Sequence, residues 1–110
     1  MDITKRVENG VTLFVLEGRI DTEGAVDMDL ALQAAVSEGQ HNMVLDMAEV
    51  RYIGSAALRT LADVLTKNKE AGGDLKLAAL RPKVMRVLRI IGFDKFFSIY
   101  DTLEAAIADF

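Results

Sequence analysis

A single serine stands where the chain passes from strand-like to helix-like sequence. Residues 51–65 read RYIGSAALRTLADVL, which starts like the end of a strand and continues as an amphipathic helix. Ser55 would therefore lie at the N-terminus of a helix, where exposed backbone N–H groups and the helix dipole favour an anion. The serine could be a helix cap, a catalytic nucleophile, or a site where a group is attached or a partner docks.

The surrounding residues argue against a nucleophilic role for Ser55. A catalytic serine needs a base, and the only histidine, His41, precedes the apolar run NMVLDM. A strand of that length would separate the two side chains by roughly 20 Å. A hydrolase elbow also needs glycines two residues before and after the serine, and those positions hold Ile53 and Ala57. The sequence therefore argues against serine hydrolysis, and we interpret His41 as a solvated turn residue.

No motif indicates a metal or a cofactor. Neither GxxxxGK[ST] nor GxGxxG occurs, so the usual phosphate-binding loops are missing. Four aspartates that could bind a cation, Asp21, Asp46, Asp94 and Asp101, are scattered along the chain without the spacing of a carboxylate cage. We interpret Asp46, at the end of an apolar strand, as a hydrogen-bonded structural residue, and we expect no metal site and no cofactor.

Composition favours one domain, residues 1–110, that binds neither nucleic acid nor the interior of a membrane. The 110 residues are 51% hydrophobic and include no cysteine, and the net charge is −4. The first ten residues lack the apolar run of a signal peptide, and no apolar run approaches the roughly 20 residues that span a bilayer. We expect a soluble cytoplasmic protein. The basic group Arg81, Lys83, Arg86 and Arg89 is interpreted as a solvated helix face, with docking of an acidic partner as the alternative.

The order of elements is predicted to be ββαβαβα(β)α. This order indicates an α/β fold with a mixed sheet of four to five strands covered by about four helices. Asn9-Gly10 predicts a hairpin, Asp21 and Thr22 a helix start, Pro82 the first turn of another helix, and Asp101 to Glu104 a capping box. The predicted strands are residues 3–8, 11–18, 42–47, 74–80 and 96–100, the last at an edge of the sheet.

Two interpretations of Ser55 remain open at this point. As an N-cap, it would stabilise its helix by about 1 kcal/mol, which the residues alone favour. As a phosphorylation site, it would gain about −1.5 to −2 charges at a helix terminus that tolerates an anion. Small neighbours, Gly54 and Ala56, would let the active site of another protein approach closely.

Three segments in order resemble the STAS domain, and more narrowly the small stand-alone bacterial anti-sigma factor antagonists. LEGRIDTEGA (residues 16–25) resembles the turn of the family into its first helix. NMVLDMAEVRYIGSAALRTL (residues 42–61) resembles the central segment that contains the motif D-S-S-G. LKLAALRPKVMRVLRIIGFDKFFSIYDTLEAAIADF (residues 75–110) resembles the tail. The resemblance covers nearly the whole chain.

The resemblance implies a non-enzymatic regulatory binding module. Antagonists of this family bind an anti-sigma factor, itself a serine kinase of the histidine-kinase-like ATPase type, and so free a sigma factor. The kinase phosphorylates the serine that Ser55 matches, which dissociates the pair, and a serine phosphatase reverses the reaction. The implied partner surface comprises Asp21 and Thr22 in the first turn, together with Gly54, Ser55, Ala56 and Arg59. The stand-alone members are typically monomers, which we expect here.

The chain departs from the family motif around Ser55. Gly54 replaces the aspartate before the phosphorylated serine, Ala56 replaces the second serine, and Ala57 replaces the following glycine. Ala57 predicts a helix start without positive φ. The loss of the carboxylate favours an alternative function, a constitutive STAS scaffold or a transporter-associated subunit in which Ser55 is not phosphorylated. A small-ligand protein that uses the same edge of the sheet is a third possibility.

Overall fold

The computed structural model describes residues 1–110 as one five-stranded sheet with strand order β1-β2-β3-β4-β5. The first two strands pair antiparallel, and every later neighbour pairs parallel. The predicted mixed α/β sheet is thus confirmed. Its elements are β1 (Asp2–Glu8), β2 (Val11–Ile20), α1 (Thr22–Ser37), β3 (Asn42–Ile53), α2 (Ser55–Glu70), β4 (Asp74–Ala78), α3 (Pro82–Ile91), a 3₁₀ turn (Phe93–Lys95), β5 (Ile99–Tyr100) and α4 (Leu103–Ala108).

The two faces of the sheet carry cores of very different size. Alternate residues of a strand point to opposite faces, so Phe14 and Leu16 of β2 join one core and Leu13 joins the other. The larger core contains 20 buried residues and packs α1, α2 and α3 on one face. The smaller core on the other face contains five, four from the strands and Ala106 from α4. None of the helices has the length and hydropathy that a membrane span requires.

The predicted turns and caps are confirmed in most places. Asn9 and Gly10 form the hairpin with φ of 52° and 78°, a region where these two residue types are tolerated. Pro82 occupies the first turn of α3, and Gly92 ends that helix in the left-handed conformation. The predicted capping box at Asp101 is wrong, because Thr102 is the N-cap of α4 and accepts a hydrogen bond from the Ala105 N–H.

Strands β2 and β3 are longer than their apolar runs predicted. Beyond Asp46, β3 pairs with β2 alone, because β4 ends opposite that residue. Two register shifts interrupt the pairing of β2 with β3, and buried residues then recur every third position, at Met47, Val50 and Ile53. Such bulges insert extra residues into a strand, which hides its extension from the period-two pattern used to find strands.

The outer strands differ in length and character. β1 has seven residues, six of them exposed, and four are charged: Asp2, Lys5, Arg6 and Glu8. At the opposite edge, β5 consists of Ile99 and Tyr100 alone. The prediction of an edge strand within residues 96–100 is confirmed, although Phe96 and Phe97 precede the strand.

Candidate partner-binding site

The carboxyl ends of β2 and β3 bring the two predicted halves of the site together. Ile20 and Ile53 are register partners in the parallel pair, and the Gly54 N–H donates to the Ile20 carbonyl at 2.9 Å. Asp21 follows β2 and caps α1, while Ser55 follows β3 after Gly54 and is the first residue of the neighbouring helix α2. The sheet therefore places residues 34 positions apart in sequence on one exposed edge, where parallel α/β folds commonly bind ligands or partners.

Asp21 fixes the start of α1. Its Oδ1 accepts a hydrogen bond from the Gly24 N–H at 2.9 Å, and Thr22 is the first residue of the helix. The predicted helix start is confirmed. Gly24 is buried, and a Cβ at that position would lie 2.5 Å from the Arg19 carbonyl oxygen, closer than side chains come to a backbone atom. Absence of a side chain at Gly24 thus lets α1 approach the end of β2.

Ser55 does not cap α2, so the N-cap interpretation is wrong. Gly54 is the N-cap, with φ −103° and ψ 175°, and no side chain caps the helix. Ser55 is the first helical residue and is exposed to solvent. A serine in the first turn has passed the position from which its oxygen reaches the free N–H groups. Capping of α2 therefore does not explain why a serine occupies this position.

The N-terminus of α2 is open and uncompensated. The first backbone hydrogen bond of the helix runs from the Leu58 N–H to the Gly54 carbonyl at 3.2 Å, which leaves the N–H groups of the preceding residues without helical acceptors. No acidic residue lies in the first turn. Ala57 is buried and does not take positive φ, as predicted. An anion placed at Ser55 would meet unpaired N–H groups and the positive end of the dipole.

Arg59 supplies a cation on the same side of α2. It is exposed, lies one turn after Ser55, and takes part in none of the ion pairs of the protein. Residues four apart share a helix face. The site residues Asp21, Thr22, Ser55 and Arg59 are all exposed, while Gly54 and Ala56 are half-buried between them.

Sequence reasoning missed two residues beside this edge. The Arg19 guanidinium stacks over the Tyr52 ring at 4.3 Å from its centroid, and the two residues are register partners of β2 and β3. Tyr52 also lines Gly54, with ring atoms 3.4 Å from where a Cβ would stand. Only the strand register reveals this pair, since nothing in either local sequence marks it.

The residues excluded from catalysis lie away from Ser55 or have structural partners. His41 precedes β3, whereas Ser55 follows it. The histidine is half-buried, with Nδ1 3.3 Å from Asn68 Oδ1, so the prediction of a solvated turn residue is wrong in that respect. Asp46 accepts a hydrogen bond from the Ala48 N–H at 3.1 Å, which agrees with its predicted structural role.

The predicted site is an open surface rather than a cavity. The clefts of the molecule reach about 490 Å³, yet Asp21, Thr22, Ser55 and Arg59 line none of them. No group of three or more His, Cys, Asp or Glu side chains is arranged to hold a metal ion. Small ligands usually bind in concave pockets, so this geometry suits the approach of a protein.

A model of the STAS domain matches residues 2–106. The chain belongs to the STAS domain family. The fold and the match both extend over essentially all elements, from β1 to α4. The resemblance of the three sequence segments is thereby confirmed at the level of the family.

Relatives of this STAS protein are named as anti-sigma factor antagonists. BtrV of Bordetella bronchiseptica, named as a candidate anti-sigma factor antagonist, is 33% identical over all 110 residues and 95% of its own length. An anti-sigma factor antagonist from Mycobacterium paratuberculosis has a crystal structure with TM-score 0.89 and 28% identity, covering 98% of this chain and 92% of that one.

The fold is also that of SpoIIAA from Bacillus, an anti-sigma factor antagonist solved in unphosphorylated and phosphorylated forms. Both forms give TM-score 0.77 at 14% identity, cover 98% of this chain, and are themselves covered to 96% and 98%. At that identity the likeness concerns the fold alone.

Proposed function

We propose that this STAS protein is an anti-sigma factor antagonist, which binds an anti-sigma factor and thereby releases a sigma factor. Two relatives that match nearly the whole chain carry names of this class. The exposed edge formed by Asp21, Thr22, Ser55 and Arg59 supports the proposal, because it offers a protein-docking surface without a catalytic constellation. The partner in this proposal is a serine kinase of the histidine-kinase-like ATPase type.

Reversible phosphorylation of Ser55 regulates this association in our proposal. The main support for this regulation is that Ser55 is exposed at the N-terminus of α2 and does not cap the helix. A phosphate would bring about −1.5 to −2 charges at pH 7. The open N–H groups of α2, its dipole and Arg59 would stabilise that charge, so the fold would persist while the surface changed. A serine phosphatase would restore the binding form.

Charge on Ser55 should weaken the complex. When the complex forms, the anion at Ser55 would be desolvated against a partner surface that offers it no counter-charge, which typically costs about 2–5 kcal/mol. We therefore expect Ser55→Asp to raise the Kd for the anti-sigma factor about 100-fold, measured by isothermal titration calorimetry. Ser55→Ala should bind within about twofold of the wild type. Ser98→Asp, which adds the same charge at an exposed position before β5, is the matched control. Equal affinity of Ser55→Asp and wild type would refute the switch.

Phosphorylation itself is tested by intact mass and fragment mapping. The protein is incubated with the purified anti-sigma kinase and ATP, and Ser55→Ala is treated in parallel. We expect one added phosphate, located on Ser55, and none on the variant. A phosphate on another residue, or none under conditions where the two proteins bind, would remove Ser55 from the mechanism and leave the binding function in place.

A constitutive STAS subunit is the second candidate function. Gly54 favours it, because the chain has no carboxylate beside the Ser55 hydroxyl where the family motif has aspartate. In that case Ser55 is never modified, and a component of a membrane transporter takes the place of the kinase as partner. Unmodified Ser55 in protein from the native cells under all growth and stress conditions, with copurification of a transporter, would support this candidate.

A further inference from the structure

Two large apolar side chains lie exposed on the outward face of α1. Val26 is 57% exposed and Leu30 is 68% exposed. They stand four residues apart and therefore share one helix face, away from the buried stripe Ala25, Met28, Leu32 and Ala35. Neither residue serves the core, which leaves the pair without a packing function in the isolated chain.

The packing of α1 against α2 sets this pair beside the proposed site. Gln33 of α1 donates through Nε2 to Asp63 Oδ2 at 2.9 Å and accepts through Oε1 from Lys67 Nζ at 3.1 Å. Both helices begin at the same edge of the sheet and run in the same direction, since they follow parallel strands. Because Gln33 contacts both Asp63 and Lys67, it lies between them along the helix axes. One turn before Gln33, Leu30 lies at about the height of Asp63, and one turn earlier Val26 lies at about the height of Arg59.

The same count aligns the first residues of the two helices, Thr22 and Ser55. The outward faces of the two helices therefore form a continuous surface. Thr22, Val26 and Leu30 lie along one helix, and Ser55 and Arg59 lie along the other. The apolar pair adjoins the site within one or two turns.

We propose that Val26 and Leu30 are the apolar anchors by which this protein docks its anti-sigma factor, a proposal that rests on the proposed function. Between Thr22 and Ser37, α1 carries Glu23, Asp27 and Asp29 and no basic residue. The complementary surface of the partner is accordingly an apolar pocket with a cationic rim. Apolar anchors enclosed by a polar rim carry most of the affinity of typical interfaces.

A second exposed apolar pair lies on the other side of α2 and provides a matched control. Ile90 at the end of α3 is 75% exposed, and Phe96 after the 3₁₀ turn is 69% exposed. Phe96 lines a small cleft of about 240 Å³ with Ala62 and Leu65 of α2. α1 lies against α2 through Asp63 and Lys67, so the second pair faces away from the proposed site.

The test compares two double variants in binding to the histidine-kinase-like anti-sigma factors of the source organism, each purified and titrated calorimetrically. Val26→Ala/Leu30→Ala should raise the Kd about tenfold or more. Ile90→Ala/Phe96→Ala should bind within about twofold of the wild type. Val26, Leu30 and Ile90 lie in helices, where alanine is favoured, and all four side chains are exposed, so both variants should remain folded. Loss of the edge-on contact between Phe96 and Phe93 should lower the thermal midpoint of the control variant only slightly.

The outcomes separate this inference from the function on which it rests. If Ser55→Asp loses affinity while Val26→Ala/Leu30→Ala binds like the wild type, the anchors are refuted and the proposed function stands. If Ile90→Ala/Phe96→Ala loses affinity and Val26→Ala/Leu30→Ala does not, the partner docks on the side of α2 that faces α3. That result also refutes Val26 and Leu30 as anchors. If none of the anti-sigma factors binds the wild type, both proposals fall.

Discussion

Gly54 is the residue at which this chain departs most visibly from the STAS motif, yet its backbone does not require glycine. Its φ of −103° is accessible to any residue. An added Cβ would lie 3.4 Å from the Tyr52 ring and 3.5 Å from the Ile20 carbonyl oxygen, which are ordinary contact distances. Absence of a carboxylate before Ser55 is therefore not imposed by the fold.

Restoring the aspartate at this position tests that conclusion. In Gly54→Asp, the new carboxylate occupies the N-cap of α2 and accepts one of the free N–H groups of the first turn. We expect the free energy of unfolding in urea to rise by about 0.5–1 kcal/mol, because aspartate is a slightly better N-cap than glycine and restricts the unfolded chain more. If the variant is destabilised, the Tyr52 ring cannot accommodate a side chain and glycine is required after all. Under the proposed function, the same variant should also be phosphorylated faster by the anti-sigma kinase.

The position of α1 is tightly constrained, because its first turn rests against the backbone of β2. Gly24 is the point of contact, and the distance of 2.5 Å from a hypothetical Cβ to the Arg19 carbonyl oxygen leaves no space for a methyl group. The neighbouring Asp21 cap depends on the same approach, since it bonds to the Gly24 N–H. The orientation of Asp21 and Thr22 at the site is thus set by a residue that a partner cannot touch.

Gly24→Ala should therefore destabilise the protein by about 1–3 kcal/mol through overpacking. The sign of this change in stability is diagnostic, because the exchange of glycine for alanine in an unconstrained helix stabilises the protein by about 1 kcal/mol. Chemical denaturation of the variant against the wild type measures the difference. A gain in stability would mean that α1 shifts away from β2 without cost, and that Gly24 does not hold the helix in place.

The order and type of the elements could be predicted from local sequence, and their ends could not. The hairpin at Asn9-Gly10 and the buried stripe of α1 follow from residue preferences and periodicity. Residues 51–53 were interpreted as the end of a strand, but the continuity of β3 from Asn42 to Ile53 was missed, because Glu49, Arg51 and Tyr52 are exposed where the pairing with β2 is irregular. Bulges depend on pairing with another strand, which local patterns do not contain.

The candidate site, too, could be predicted from local sequence only in part. Asp21 as a helix cap is a local property and was predicted. For Ser55, a shift of one residue in the helix start decided between a cap and a free hydroxyl, and propensity does not resolve one residue. The stacking of Arg19 on Tyr52 and the alignment of α1 with α2 arise from strand register and helix packing. Both require the tertiary structure.

For the molecule as a whole, the small second core makes stability sensitive to high pH. The Tyr100 hydroxyl donates a hydrogen bond to the Asp109 carboxylate. That bond, followed by desolvation and the negative charge of Asp109, raises the pKa of Tyr100 above its ordinary value of 10.0. The unfolded chain therefore loses this proton first as the pH rises. Tyr100 contributes stability that is present below pH 10 and lost above it.

We accordingly expect the free energy of unfolding to fall more steeply above pH 10 in the wild type than in Tyr100→Phe. Urea titrations of both proteins between pH 8 and pH 11 measure the difference. The two free energies of unfolding should differ most at pH 8 and approach each other as the pH rises past 10. Parallel curves across this range would show that the contact with Asp109 does not contribute to stability.

The charged β1 strand bears on how the protein behaves at high concentration. A sheet edge is a template for intermolecular strand pairing, the first step toward aggregation. On β1, a second chain would have to place its own side chains beside Asp2, Lys5, Arg6 and Glu8. Two antiparallel copies paired over the whole strand would set Asp2 opposite Glu8 and Lys5 opposite Lys5, which are like-charge contacts. At the other edge, β5 offers only two residues. Both borders of the sheet are thus poor nuclei for fibril growth, which keeps the exposed helical face available to a folded partner.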